Sequence, residues 1–449
     1  MNLTLYRDHL AALERFLVDA LERAGRRGAA LDAVVLHAGA TASYHADDQD
    51  IVFRPTPHFA RYVPLVGPDH CLLARPGHKP RLVRVVPRDF WYEVSPLAPS
   101  YWQSEVELLE VATPEDVPAA LGPLGRTAYI GNSPATAAAL GIPPELCEPE
   151  GLLRPLDWHR ATKTEYEVAA IESAAQQSAA GHRAAQAAFW AGASEREAHA
   201  AYLRGSEQLE RDNPFETIVA QNEKSATLHY QNKRGPLAGP RRTFLLDAGA
   251  TTAGYASDIT RTVVTDAAEP EFRTLLRGLD VLQRELVAMV TVGRAYPEIH
   301  FAAHAKVAAL LTAVGIVRAS PAEALASGVT RTFLPHGVGH HLGIQVHDIG
   351  GRQAAPEGGT KAPPAEHKAL RNTRELELGH VVTIEPGLYF IPMLLAALRA
   401  GPNAALVDWP LVERLVPCGG MRLEDDIVCT ASGPRDLSRP YLPGPSAEP

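Results

Sequence analysis

No stretch of this sequence is apolar for the roughly 20 consecutive residues that a membrane-spanning helix needs, so no membrane location is expected. Cysteine is scarce: Cys71, Cys147, Cys418 and Cys429 show no CxxC spacing and read as reduced thiols. Positive charge is not in excess. Lys and Arg number 43 against 52 Asp and Glu, a formal net charge of -9 with no basic stripe, so nucleic acid is not an expected partner. The opening MNLTLYRDHLAALERFLVDALERAG lacks the unbroken apolar core and small-residue cleavage site of a secretory signal. Together with the reduced thiols this leads to the expectation of a cytoplasmic protein. Solenoid-type repeats are missing too.

What is present is an ordinary globular composition, 46% hydrophobic and 21% charged, over 449 residues. That length exceeds the reach of one hydrophobic core, so two domains are expected, 1–155 and 156–449, with a boundary near Pro155. Leu10, Leu13, Leu17 and Leu21 recur at helical spacing, and Gly25 is placed to end that helix. Short apolar runs at Val34–Leu36, His70–Leu73, Leu82–Val86 and Tyr129–Gly131 read as strands, before an alanine-rich stretch at 135–140. The first domain therefore has an α/β pattern, with nothing catalytic legible in it. Further on, Thr164 with Glu167 and Ser194 with Glu197 carry capping-box spacing at two helix starts. Two more helices are expected after Pro270 and from Pro297 to about Val314. Strand-like runs lie at 243–250, 255–264, 381–385 and 421–430, and 350–372 reads as a surface excursion. The second domain is thus α+β, its helices beside a largely antiparallel sheet.

The unusual residues sit on that sheet. In FLLDAGATTAGYASDITRTVV two strand-like runs flank a turn, and a hairpin centred between Thr252 and Ala253 sets Asp247 directly opposite Asp258. Opposed residues have Cβ atoms roughly 4.5–5.5 Å apart, where two carboxylates repel and resist burial unless a cation neutralises them. LPHGVGHHLGIQVHD carries His336, His340, His341 and His347 among glycines that allow close backbone approach. Spacing does not choose among the four. His380 reads as structural. In VVTIEPGLYF an apolar strand stops at Glu385 before a forced turn, and in GGMRLEDDIVCT the alternation turns one of Glu424, Asp425 and Asp426 inward and the others outward.

Carboxylates with an imidazole suit hard-to-borderline divalent cations better than a thiolate site does. Two such ions about 3.5–4 Å apart lower the pKa of a shared water, supply hydroxide and polarise a carbonyl or phosphoryl oxygen. A neighbouring carboxylate moves the proton, and free imidazoles donate to the oxyanion. The reaction class is hydrolysis.

The ordered set LLDAG with SDITR, PHGVGHHLGIQVHD, TIEPGLYF and RLEDD resembles the pita-bread metallopeptidases, most closely the bacterial Xaa-Pro dipeptidases, or prolidases. ADDQDIVFRPTPHF and VPRDFWYEV extend the likeness into the first domain. The resemblance implies an amino-terminal creatinase-like α/β domain, a carboxy-terminal pita-bread domain, a homodimer, two Mn²⁺ ions and hydrolysis of Xaa-Pro dipeptides by attack of a metal-bridging hydroxide. It places Asp247, Asp258, His340, Glu385 and Glu424 on the metal ligands, with Glu385 also the acid/base group. His336 and His347 fall on catalytic positions that meet the substrate and its tetrahedral intermediate. His229, Arg422 and Phe215 fall on the substrate pocket, and Arg422 suits a bidentate clamp on the dipeptide carboxylate. Phe215, in NPFETIVAQN, departs from the family's frequent tyrosine. Some relatives also hydrolyse organophosphate esters, a side activity carried here as an expectation. One rival is an Xaa-Pro aminopeptidase acting on longer peptides, whose members often have serine where Gly339 stands. The other is an inactive pita-bread binding module, which would have lost ligands that this sequence retains.

Overall fold

The leucine stripe of the opening segment is buried along one side of helix α1 (Leu3–Arg26), which buries Tyr6, Leu13, Leu17 and Leu21. This is seen in a computed structural model that describes residues 2–91, 93 and 96–445; Tyr92 and Val94 of VPRDFWYEV lie outside the described residues. Helix α1 runs through Gly25 rather than ending there. Its Arg27 N–H still reaches the Ala24 carbonyl, and the left-handed residue that turns the chain is Gly28, at φ 91°.

By internal contacts the chain forms two units: Met1–Arg160 with Thr164–Ala170 and Gln353–Gly359, and Ala161–Lys163 with Ile171–Arg352 and Thr360–Pro449. The first is built on a five-stranded sheet of β1 (Ala33–His37), β2 (Cys71–Ala74), β3 (Arg81–Val85), β4 (Glu107–Val111) and β5 (Thr127–Ile130), in the order β4-β3-β2-β1-β5. Pairing is mixed, antiparallel for β1–β2 and β2–β3, parallel for β1–β5 and β3–β4. The inner strands β1 and β2 are buried at every residue, as apolar runs covered on both faces must be. Strand β4 escaped the sequence reading; it is a half-exposed edge with little apolar contrast. Helix α2 (Pro57–Tyr62) brings Arg61 to Glu167, a buried pair 3.0 Å apart. Helices α3 (Pro134–Ala139) and α4 (Glu150–Arg160) follow, and Pro155 lies inside α4.

The capping boxes at Thr164 and Ser194 are present and open α5 (Glu165–Trp190) and α6 (Glu195–Gly205). In the second unit these helices cover an antiparallel sheet of β6 (Ile218–Gln221), β7 (Thr243–Ala248) and β10 (Ile259–Val264), ordered β10-β7-β6. The period of two decides what each face does. Phe244, Leu246 and Ala248 pack with Phe189, Ala198 and Tyr202, whereas Leu245 faces the other way with Ile218 and Tyr230. Asp247 shares that second face. Short strands β8 (Thr251–Thr252) and β9 (Tyr255–Ala256) carry the hairpin to its turn. Helices α7 (Pro270–Val287) and α8 (Tyr296–Val314) pack through Leu275, Leu279, Leu286, Ile299, Val307 and Leu311 in the largest core. Beside them stand β11 (Val381–Ile384), β12 (Gly387–Tyr389), β13 (Gly420–Arg422), β14 (Asp425–Thr430) and β15 (Gly433–Asp436), paired as β11-β14-β15 and β12-β13.

Three expectations are corrected. Asp247 pairs with Thr260, not with Asp258. The hairpin reverses at Ala253 and Gly254, both left-handed at φ 51° and 86°, in the two-residue turn that matches strand twist, one residue later than the sequence suggested. Asp258 is left diagonal to Asp247 and on the same face. The run 421–430 is not one strand, because it breaks at Leu423 and Glu424. Finally, Glu424, Asp425 and Asp426 are all buried instead of alternating in and out, since each has a partner inside. Asp425 meets Arg261 and Arg439, and Asp426 accepts the Asp258 N–H.

Candidate metal centre

Each acidic side chain reaches the centre by a local device. Asp247 is near the end of β7, and Asp258 immediately precedes β10 on the same sheet face. The histidine loop runs beside β11: Thr383 N donates to His340 O at 2.9 Å, and Glu385 N donates to Val338 O at 2.9 Å. Glu385 therefore leaves the strand next to His340. That close approach depends on Gly339, at φ 150°, where a Cβ would lie 2.0 Å from Thr383 O and 2.2 Å from the Tyr296 hydroxyl. Glu424 occupies the break before β14; its N–H donates to Thr260 O at 3.1 Å and its Oε2 accepts the Thr260 hydroxyl at 2.6 Å.

The result is a convergence of acids around one imidazole. His340 Nε2 lies 3.5 Å from Asp258 Oδ2 and 3.7 Å from Glu385 Oε1. One donor atom each from Asp258, His340 and Glu424 lies within 4.8 Å of the others. His340 Nδ1 donates to its neighbour's carbonyl, His341 O, at 3.0 Å, so the lone pair on Nε2 faces the carboxylates. Burial, then the charge of Asp247, raises Asp258 well above the usual carboxylate range. Burial, then Asp258 and Glu385, does the same to Glu424. Burial pushes Glu385 up to about 7, against the pull of His340 and Arg422. Asp247 Oδ1 is buried with no hydrogen-bond partner among the described residues. Arg422 is the cation buried with this group, bonded to Asp247 through Nη2. Further positive charge is what the donor set lacks, and its oxygen and nitrogen donors fit divalent cations.

These groups form the floor of a cavity of about 610 Å³, a size suited to a small organic substrate. Its lining includes His336, His347, His229, Phe215 and Arg422, so the residues that the family resemblance placed on the metal ligands and the substrate pocket all border one space. His341 is excluded from it. That ring is buried edge-on against His380, with centroids 4.8 Å apart. Arg422 is heavily engaged: besides Asp247 it donates to Thr260 Oγ1 at 3.0 Å and to the Tyr389 hydroxyl at 2.9 Å. His336 Nδ1 donates to Gly337 O at 2.7 Å, so Nε2, 3.0 Å from the Tyr389 hydroxyl, is the accepting nitrogen of the neutral ring. Burial, then the Arg422 charge, pushes His336 down to about 4, which keeps it neutral near pH 7.

Residues 169–431 match metallopeptidase family M24, and residues 4–158 match the Xaa-Pro dipeptidase amino-terminal domain. The chain belongs to metallopeptidase family M24. It is a hydrolase with an amino-terminal mixed α/β domain and a carboxy-terminal pita-bread domain. The Xaa-Pro dipeptidase of Xanthomonas campestris pv. campestris (strain 8004) is 40% identical over 445 residues, 98% of either chain. That of Proteus mirabilis (strain HI4320) is 39% identical over 430 residues, covering 95% of this chain and 96% of the relative. Among solved structures, proline aminopeptidase P II from Yersinia pestis superposes with a TM-score of 0.69 at 22% identity, over 99% of this chain and 98% of that one. At such identity the likeness concerns the fold.

Three residues of this M24 metallopeptidase site escaped the sequence reading. Thr260 holds Glu424, and its signal was available, since it lies two residues beyond Asp258 on the same strand face. Tyr389 joins Arg422 to His336, and stood unremarked in the quoted GLYF. Arg371 is an exposed cation on the cavity lining that arrives from the surface excursion, with no local pattern to mark it.

Proposed function

We propose that the chain hydrolyses Xaa-Pro dipeptides at a centre of two divalent cations, Mn²⁺ by preference, held by Asp247, Asp258, His340, Glu385 and Glu424. The observation that carries this reading is the convergence of buried, mutually repelling carboxylates and the His340 lone pair on the cavity floor. Full-length likeness to proteins named Xaa-Pro dipeptidase supports the substrate class. Bound cations lower the pKa of a water and polarise the scissile carbonyl. Glu385, whose carboxylate lies beside His340 on the cavity floor, takes the proton of the attacking water and passes it to the proline nitrogen. His347 donates to the developing oxyanion, and His336, a neutral ring held between Gly337 O and the Tyr389 hydroxyl, meets the substrate on the same cavity wall. Arg371 and Arg422 are the cations lining the cavity toward which the dipeptide carboxylate is drawn, and His229 and Phe215 frame the remaining space. In this reading residues 156–449 carry catalysis, residues 1–155 form the accompanying domain, and the enzyme acts as a cytoplasmic homodimer. Slow hydrolysis of organophosphate esters by the same centre belongs to the proposal.

Ala-Pro assayed beside Ala-Pro-Ala, with Mn²⁺ present, tests it. Faster turnover of the dipeptide is expected, and faster turnover of the tripeptide would replace the reading by an aminopeptidase. Replacing Arg422 by Ala is expected to raise the Michaelis constant for dipeptides, and because Arg422 also bonds to Asp247 the constant is measured at saturating Mn²⁺.

A further inference from the structure

A second group of metal-ligating side chains lies outside the carboxylate centre. His300 and His304 are one turn apart on α8, and His367 comes from the segment 365–371. One ring nitrogen from each lies within 4.8 Å of the other two. The rings meet in a closed triangle, with centroids 4.7 Å apart for His300 and His304, 4.5 Å for His300 and His367, and 4.7 Å for His304 and His367. His300 and His304 are 1% and 2% exposed. His304 Nδ1 is 3.0 Å from the Thr330 hydroxyl, the outer hydrogen bond that orients a ligating imidazole, while its Nε2 is buried without a partner among the described residues. His300 Nε2 and His367 Nδ1 are 2.8 Å apart and share one hydrogen, since two neutral rings cannot both donate across that gap. Three buried or half-buried imidazoles packed this closely cost stability as bare polar groups.

We propose that His300, His304 and His367 form a mononuclear transition-metal site, separate from the carboxylate centre, that takes a borderline cation such as Zn²⁺ with solvent as the fourth ligand. Binding replaces the His300–His367 hydrogen bond by two coordinate bonds, and the shared hydrogen moves to the outer nitrogen of its own ring, so no net proton is required. Burial and the neighbouring histidines push His300 down to about 3, and burial does the same to His304, so protons do not compete for the ligand atoms near neutrality. Three nitrogens selected this way favour Zn²⁺ over Mg²⁺ or Ca²⁺. A cavity of about 380 Å³ borders the cluster and leaves room for solvent; Glu366, Arg331, Lys368 and His336 are the other polar side chains on it. Glu366, Arg331 and Lys368 are exposed, so the repulsion from the Arg331 and Lys368 charges is screened by solvent. An ion here ties the segment bearing Ala369 and Arg371, both on the lining of the larger cavity, to helix α8. The site does not depend on the substrate proposed above.

The test counts Zn²⁺ bound by the chelator-stripped, full-length protein after equilibration with Zn²⁺. Wild type is compared with His367→Ala and with His304→Gln, folding being checked by circular dichroism. The half-buried His367 is the substitution least able to disturb folding. Each variant is expected to bind one Zn²⁺ fewer per chain and to lose part of the Zn²⁺-induced rise in Tm. Asp258→Asn with Glu424→Gln, which removes the carboxylate centre, is expected to retain one. Equal Zn²⁺ stoichiometry and affinity in wild type and His367→Ala would overturn the proposal, as would no bound Zn²⁺ in the carboxylate variant.

Discussion

Arg261 Nη2 donates to Asp425 Oδ1 at 2.6 Å, with both side chains no more than 1% exposed. The same guanidinium donates through Nη1 to the carbonyl of Glu424 at 2.7 Å, so one buried cation fixes the backbone beside a candidate ligand. Burial alone raises Asp425, and Arg261 with Arg439 reverses this and holds it below the usual carboxylate range. Replacing Arg261 by Met is expected to destabilise the fold by up to about 3–5 kcal/mol, because Asp425 loses the more deeply buried of its two cations and keeps only Arg439. Urea unfolding measures this, and adding Asp425→Leu should recover part of the loss.

Thr260 bonds to Glu424 Oε2 through its hydroxyl and also accepts from Arg422 Nε. Thr260→Val keeps the shape and removes both bonds. Metal affinity should fall about 10–100-fold, the usual effect of losing an outer hydrogen bond to a ligand. Titration of the stripped protein with Mn²⁺ reads it directly, and an unchanged affinity would mean that Glu424 is held by other contacts.

How much of this was legible in the sequence depended on whether the signal was local. The hairpin register was misplaced because Ala253, which has a Cβ, adopts a left-handed conformation beside Gly254. The shift of two residues nevertheless preserved the face, so Asp247 and Asp258 still border the same cavity as the other candidate ligands. The acidic triplet misled because alternation assumes one solvated face, whereas Asp425 and Asp426 face inner partners contributed by distant segments. Helical spacing puts His300 and His304 on one face, but nothing in the sequence joins them to His367 across a long separation. The family motifs supplied the choice among clustered histidines that spacing left open.

His182 makes stability depend on pH. It is fully buried, with Nε2 3.2 Å from Ala248 O, and burial pushes it down to about 3. In the unfolded chain it titrates near 6.5. Between those values the unfolded state binds the extra proton, so stability is lost as pH falls from about 6.5 towards 3. This one ring should remove about 2 kcal/mol between pH 7 and pH 5. Urea unfolding at both pH values should show a slope shallower by that amount in His182→Gln than in wild type.

Phe215 lines the cavity without a polar group. Phe215→Tyr adds a hydroxyl at that wall. If it reaches the bound dipeptide, kcat/KM for Ala-Pro should rise about 2–10-fold, equivalent to one net hydrogen bond of about 0.5–1.5 kcal/mol. Unchanged kinetics would place the substrate away from this wall.

The glycine before His340 constrains how such a site can be altered. With a Cβ at 339 only 2.0 Å from the Thr383 carbonyl, any side chain there demands that β11 move first, and β11 leads directly into Glu385. A change to serine at this position is therefore a two-step passage whose first step, taken alone, displaces a candidate ligand. Variants that acquire the accommodating change near Thr383 beforehand have the passage open, so the order of substitutions, and not their number, decides which descendants of this sequence remain active.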